Sequence, residues 1–256
     1  MKPVYFLHIH KTAGSSLIAM IDAHFEPEQV CKAQQWHQLL AIPREDLARF
    51  ALFRGHFHHC FCTLLPEPPI TFTFLRDPVA RTFSRYLHLR REKEHYLHEH
   101  ALTQDLRMFL KDPVTRSQVN NLQVRTLAYD FNIQAVAQAV GRPLTKKMEM
   151  ESYVNTLMRD LPDEALLPIA IKRIEAMAFV GLTERFDDSM AVLATQFGWS
   201  HSQSIRLNAA YEPLPKEAED PKVLEDIRQL NWADIELYSH ATRLFEAKLA
   251  TLTTQS

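Results

Sequence analysis

Residues 4–16 read Val4-Tyr5-Phe6-Leu7-His8-Ile9-His10-Lys11-Thr12-Ala13-Gly14-Ser15-Ser16. The run from Val4 to Ile9 is short, apolar and rich in β-formers, which predicts a buried strand. Residues 10–16 are a polar loop, and residues 15–25 place Leu17, Ile18, Ile21 and Phe25 at helical spacing. Strand, polar loop and helix in that order are the opening of a βα unit, and that unit decides the fold class.

The same punctuation recurs downstream. Phe50-Ala51-Leu52-Phe53 is apolar and stops near Gly55. Pro68-Pro69 precede Ile70-Thr71-Phe72-Thr73-Phe74-Leu75, and Arg76-Asp77-Pro78 follow. Asp77 suits an N-cap and Pro78 a first helical position, so a helix is expected to about Arg91, with Val79, Phe83, Tyr86 and Leu87 on its apolar face. Residues 101–111, 117–128 and 147–177 (interrupted near Pro162) are expected to be helical. A late strand is expected over 178–182, a helix over 186–197, a polar loop over 198–221 and two helices over 221–248.

Strands alternating with helices predict an α/β fold with a mainly parallel central sheet flanked by helices. In such sheets ligands bind beyond the carboxyl ends of the strands. Residues 10–16, Gly55-His56 and 76–78 each sit at such an end, and they meet in one crevice if the three strands are neighbours.

Composition sets the bounds. A chain of 256 residues with 46% hydrophobic and 23% charged residues is expected to form one domain, residues 1–256, with a core large enough to need no disulfide or metal staple. The 29 basic and 31 acidic residues, a net charge of −2, argue against a general nucleic-acid binder. No apolar run approaches the roughly 18 to 20 residues that span a membrane, and the N-terminus is too short and weakly charged for a signal peptide. The three cysteines, Cys31, Cys60 and Cys62, suit a reducing compartment. The expectation is a cytoplasmic protein with no nucleic-acid partner and no membrane insertion. With only five glycines, each is expected to mark a special backbone position.

The loop Lys11-Thr12-Ala13-Gly14-Ser15-Ser16 can cradle an anion. Backbone N–H groups at a helix N-terminus, the Lys11 charge and the hydroxyls of Thr12, Ser15 and Ser16 all donate, and Gly14 lets backbone approach a ligand closely. An ordinary polar loop would have the same composition, and the Walker A pattern is absent. Arg76 at a strand–helix junction suits bidentate binding of a phosphate. Arg81, Ser84, Arg85 and His88 form a polar stripe, of which Arg85 and His88 are expected to be solvated. His56 can act as a general base near neutral pH. His58, His59, Cys60 and Cys62 are dense, but their spacing is not that of a zinc site, and no metal is expected.

Residues 8–16 resemble the 5′-phosphosulfate loop of sulfotransferases that use 3′-phosphoadenosine 5′-phosphosulfate (PAPS). Leu75-Arg76-Asp77-Pro78-Val79-Ala80-Arg81-Thr82-Phe83-Ser84-Arg85-Tyr86 resembles their 3′-phosphate motif, including the interval from Arg76 to Ser84. Within that family the chain is most similar to the carbohydrate O-sulfotransferases related to heparan sulfate 2-O-sulfotransferase. Gly55-His56, Asn121-Leu122-Gln123-Val124-Arg125, Phe179-Val180-Gly181-Leu182-Thr183-Glu184 and, more faintly, Arg206-Leu207-Asn208 resemble further motifs of that branch. Two departures stand out: His10 replaces the usual proline, and Arg54 stands where the heparan enzyme has the first histidine of His-Gly-His.

The resemblance implies a P-loop-like, three-layer sulfotransferase fold, PAPS as co-substrate and no metal. It implies in-line transfer to an acceptor hydroxyl on a small molecule or glycan. Lys11 would neutralise the leaving phosphate and His56 would be the base. Lys11, Thr12, Ala13, Gly14, Ser15 and Ser16 would hold the 5′-phosphate, and Arg76, Ser84 and Asn208 the rest of the nucleotide. Gln123 and Arg125 would contact the acceptor. The competing readings are a P-loop-like kinase using ATP and Mg²⁺, and a non-catalytic nucleotide-binding protein.

Overall fold

The computed structural model describes residues 2–133, 162–199 and 214–253. Its centre is a parallel sheet of β1 (Val4–Leu7), β2 (Leu52–Gly55), β3 (Ile70–Leu75) and β4 (Phe179–Leu182), in the order β2-β1-β3-β4. β1, β2 and β4 are buried along their whole length, as continuous apolar runs should be when helices cover both faces of a sheet. Leu7 pairs with Gly55 on one side and Thr73 on the other, and Leu75 pairs with Leu182. The Thr73 hydroxyl also donates to the Leu7 carbonyl at 2.7 Å, fixing β3 against the end of β1.

The predicted first strand is shorter than its apolar run. Pairing stops at Leu7, although the His8 N–H still reaches the Gly55 carbonyl at 3.1 Å and Ile9 stays buried. The outer edge of β2 is covered by residues 29–34. Cys31 N–H donates to Leu52 and His56 N–H to Gln34, each at 2.9 Å. An edge strand covered in this way offers no template for association.

The helices are α1 (Gly14–Asp22), α2 (Trp36–Leu40), α3 (Pro78–Arg91), α4 (His98–Thr103), α5 (Leu106–Lys111), α6 (Pro113–Arg116) and α7 (Leu122–Ala128). They continue as α8 (Asp163–Ala176), α9 (Phe186–Phe197), α10 (Pro221–Leu230) and α11 (Trp232–Thr253). α3 starts as predicted, with the Asp77 carboxylate accepting from Ala80 N–H and Pro78 in the first turn. The single helix predicted over 101–111 is two, because Asp105 caps a new start at α5. The helix predicted over 117–128 is likewise confined to α7, because Asn121 adopts φ 44° and breaks the run. α2 and the 3₁₀ turns Arg44–Arg49 and His59–Leu64 were not foreseen.

α7 and α11 cap each other. The Asn121 side-chain oxygen accepts from the N–H groups of Ala233 (3.0 Å) and Asp234 (3.1 Å). The Asp234 carboxylate accepts from Gln123 N–H (3.1 Å) and Val124 N–H (2.8 Å). Each helix thus satisfies donors that the other leaves orphaned.

The main hydrophobic core encloses the sheet, and a smaller one lies between α3, α4, α5 and α10, around Phe83, Tyr86, Leu89, Phe109 and Ile227. Phe83 and Tyr86 are buried as expected, while Val79 and Leu87 are only partly so. Arg85 contradicts its expectation: it is 2% exposed, with Nε donating to Gln118 at 3.2 Å. Among the described residues no helix is long and apolar enough to cross a membrane.

Candidate functional site

β1 and β3 are neighbours, yet the chain leaves β1 toward β2 and leaves β3 toward β4. A crevice opens where connections diverge in this way, beyond the carboxyl ends of the two strands. There the structure has a cleft of about 510 Å³, lined by His8, His10, Lys11, Ala13, Gly14, Ser15, Ser16, Gln34, His56, Arg76, Ser84, His88, Thr183 and Phe186. Three segments that the sequence placed at strand ends therefore meet. No carboxylate is among the lining residues.

The loop after β1 owes its shape to residues that are not glycine. Lys11 has φ 71° and Ala13 φ 63°, in the left-handed region. Such conformations cost about 1–2 kcal/mol each for a residue with a Cβ. They bend the chain into α1, whose N-terminus has no side-chain cap and so presents its first N–H groups toward the cleft. Gly14 lines the cleft and also makes room for a neighbour. A Cβ there would lie 1.7 Å from His8 Nε2, so the space made by the missing side chain holds the His8 ring. Thr12 is fully buried, its hydroxyl donating to the Ile9 carbonyl at 3.0 Å, and it does not line the cleft.

His56 follows β2 and is gripped from several sides. Its Nδ1 lies 2.7 Å from the His8 carbonyl oxygen. A carbonyl only accepts, so Nδ1 carries the proton and Nε2 keeps the lone pair. The His10 ring stacks on His56 at 3.6 Å between centroids and 16° between planes, and the His8 ring lies 4.2 Å away. Burial, then the nearby His8, holds the His56 imidazole well below its ordinary pKa. Burial and His56 do the same to His10. His8 is pushed down to about 3 by burial and by the Lys11 charge, and its Nδ1 has no hydrogen-bond partner. These are neutral imidazoles in a positive field.

Arg76 lies just past β3 and also lines the cleft. Its Nη1 donates to the Lys11 carbonyl at 3.2 Å, which ties the β3 end to the loop after β1. Nε is buried without a hydrogen-bond partner, with Glu184 3.9 Å away. Ser84, two turns along α3, also faces the cleft. Arg81 is fully buried behind them, 3.9 Å from Asp234, and burial with the neighbouring Arg85 and Arg76 lowers its pKa to about 10 despite Asp234. Arg76, the helix start without a side-chain cap and Lys11 together suit an anion with more than one charged group.

Gln123 and Arg125 are not in the cleft. Gln123 is fully buried against the Arg76 backbone, and Arg125 pairs with Asp163 at 2.7 Å. Arg54 makes a bidentate pair with Asp22 (2.6 and 2.8 Å) and donates to the Cys31 carbonyl, joining β2 to the end of α1. Asn208 lies outside the described residues. His8, His10, Gln34, Thr183 and Phe186 line the cleft without having been assigned there, as does His88, which was expected on a solvated face. His8 and His10 were visible in the loop motif, but which of its residues turn inward was not. Among the described residues no cluster of His, Cys, Asp and Glu is arranged to hold a metal ion, and the cysteines are free. Neither the protein-family models nor the curated proteins yield a match to this chain.

Proposed function

We propose that this chain is a PAPS-dependent O-sulfotransferase of P-loop-like fold, with a carbohydrate hydroxyl as acceptor. The observation that carries the reading is one cleft, with no carboxylate lining it among the described residues, that gathers Lys11 and its loop, Arg76 with Ser84, and His56 with an available Nε2. Lys11 with its loop on the β1 side and Arg76 with Ser84 on the β3 side suit a nucleotide with both 5′ and 3′ anionic groups.

When bound, PAPS supplies a sulfuryl group that passes in line to the acceptor oxygen, the sulfur–oxygen bond to the 5′-phosphate breaking as the new one forms. His56 takes the hydroxyl proton at Nε2. The His8 carbonyl holds the imidazole in the tautomer this requires. Lys11 and the N–H groups at the start of α1 stabilise the negative charge released on the leaving phosphate. Arg76 and Ser84 hold the 3′-phosphate and so distinguish this nucleotide from ATP. The chemistry then rests mainly on positioning and charge.

The test is a thermal-shift titration with adenosine 3′,5′-bisphosphate beside 5′-AMP and ATP with Mg²⁺. A ligand bound only by the folded state raises the melting temperature. The expected result is a shift selective for the bisphosphate. A shift with ATP and Mg²⁺ alone would replace this reading with a kinase.

A further inference from the structure

We propose that Gln123 is a positioning residue: its side-chain amide holds the Arg76 backbone in place so that the guanidinium meets the 3′-phosphate. The inference rests on the function proposed above. It gives Gln123 a task other than contact with the acceptor.

The geometry is specific. The Arg76 N–H donates to Gln123 Oε1 at 3.0 Å, and Gln123 Nε2 donates to the Arg76 carbonyl at 2.9 Å. β3 ends one residue earlier, where Leu75 pairs with Leu182. The amide therefore supplies the donor and acceptor that another strand would have supplied. Gln123 has no exposed surface, so it cannot also bind a substrate in the cleft.

The holder is itself held. Gln123 N–H donates to Asp234 at the capped start of α7. The next residue after Arg76 is fixed similarly, since Asp77 N–H donates to Glu184 at 3.1 Å. The turn between β3 and α3 is thus gripped by side chains 47 and 107 residues away in sequence. From that anchored backbone the Arg76 guanidinium reaches the Lys11 carbonyl. A small displacement of Arg76 would move its charge relative to the whole loop, and such misplacement is costly in a preorganised site.

Binding of adenosine 3′,5′-bisphosphate and of 5′-AMP is measured calorimetrically for the full chain, Gln123→Leu, Arg76→Ala and the double variant. Gln123→Leu should weaken bisphosphate binding about tenfold, as expected for the loss of roughly one net hydrogen-bond energy, and change 5′-AMP binding by less than about threefold. In the Arg76→Ala background the same substitution should cost the bisphosphate nothing further, because residues acting through one contact are not additive. Equal losses for both ligands, or an undiminished loss in the Arg76→Ala background, would overturn the proposal. Should Gln123→Leu fail to fold, Gln123→Glu keeps the acceptor for Arg76 N–H and loses the donor, so intermediate selectivity is expected and unchanged selectivity refutes. Arg76→Ala alone separates the two levels. If it weakens both ligands alike, the sulfotransferase reading falls and takes the inference with it. If it is selective while Gln123→Leu is not, only the role of Gln123 falls.

Discussion

Acidification should unfold this protein through histidines that the fold keeps neutral. His8 and His58 are each only 9% exposed. Burial, assisted at His8 by Lys11, pushes their pKa values down to about 3 and about 4, from the ordinary 6.5. Above about pH 6.5 neither residue carries a proton in either state, and neither affects stability. Between that value and about pH 4 the unfolded chain binds both protons and the folded chain neither. Stability then falls as pH falls, by about 2.7 kcal/mol per pH unit for the pair. At pH 5 the loss is about 4 kcal/mol, a large part of the roughly 5–15 kcal/mol that holds a typical domain together. His10 and His56 act in the same direction. Asp234, raised to about 6 by burial, acts in the opposite direction below that pH and offsets about one proton. The assay is urea unfolding at a series of pH values, with His58→Asn, whose amide does not titrate, as partner. The variant should lose about 1.4 kcal/mol per pH unit from the slope between about pH 6.5 and 4. Identical slopes in the two proteins, or a stability flat across that range, would refute the reasoning.

Two further outcomes follow from the cleft. His56→Ala should slow sulfuryl transfer by roughly 10²- to 10⁴-fold while leaving bisphosphate binding nearly intact, and near-normal turnover would remove His56 from the mechanism. Because burial and His8 hold His56 below its ordinary pKa, the acid limb of the wild-type rate profile should lie below pH 6.5; a midpoint at or above that value contradicts a neutral base. Arg54→His, which installs the histidine of the heparan enzyme, should destabilise the fold by about 1–3 kcal/mol without raising turnover, because the bidentate pair with Asp22 is lost. A melting temperature unchanged from wild type would show that the pair contributes nothing.

The legible parts of the fold were those written locally. β3 and α3 were delimited by Pro68-Pro69, Asp77 and Pro78, each of which acts on its own few residues. The helix expected over 186–197 is α9, Phe186–Phe197. Convergence of three loops was conditional on β1, β2 and β3 being neighbours, and strand order is not a local property. Arg85 was misplaced for the same reason. On an isolated helix it belongs to a polar stripe, but Gln118 and His95, from outside α3, meet its guanidinium and bury it. The left-handed conformations of Lys11 and Ala13 left no mark in the sequence, because neither residue favours them.

The harder distinction is between side chains that meet a ligand and those that hold them. Thr12 and Ser15 look alike in the loop, yet the Thr12 hydroxyl turns back to Ile9 while Ser15 lines the cleft. Gln123 and Arg76 are both polar residues in recognisable motifs, but one is spent on the backbone of the other. Residue type cannot separate these roles, because a buried amide and a ligand-binding amide need the same donors and acceptors. The separating quantity is whether those groups are already satisfied. Gln123 has both amide groups engaged, whereas Arg76 keeps a buried Nε without a hydrogen-bond partner. By that criterion Asn121 and Gln123 of the motif are framework, since Asn121 caps α11 and Gln123 clips Arg76, while Arg125 pairs with Asp163 away from the cleft. On the proposed function the acceptor would then be read by other residues, and His8 and His10, whose rings pack on the His56 base, line the cleft beside it.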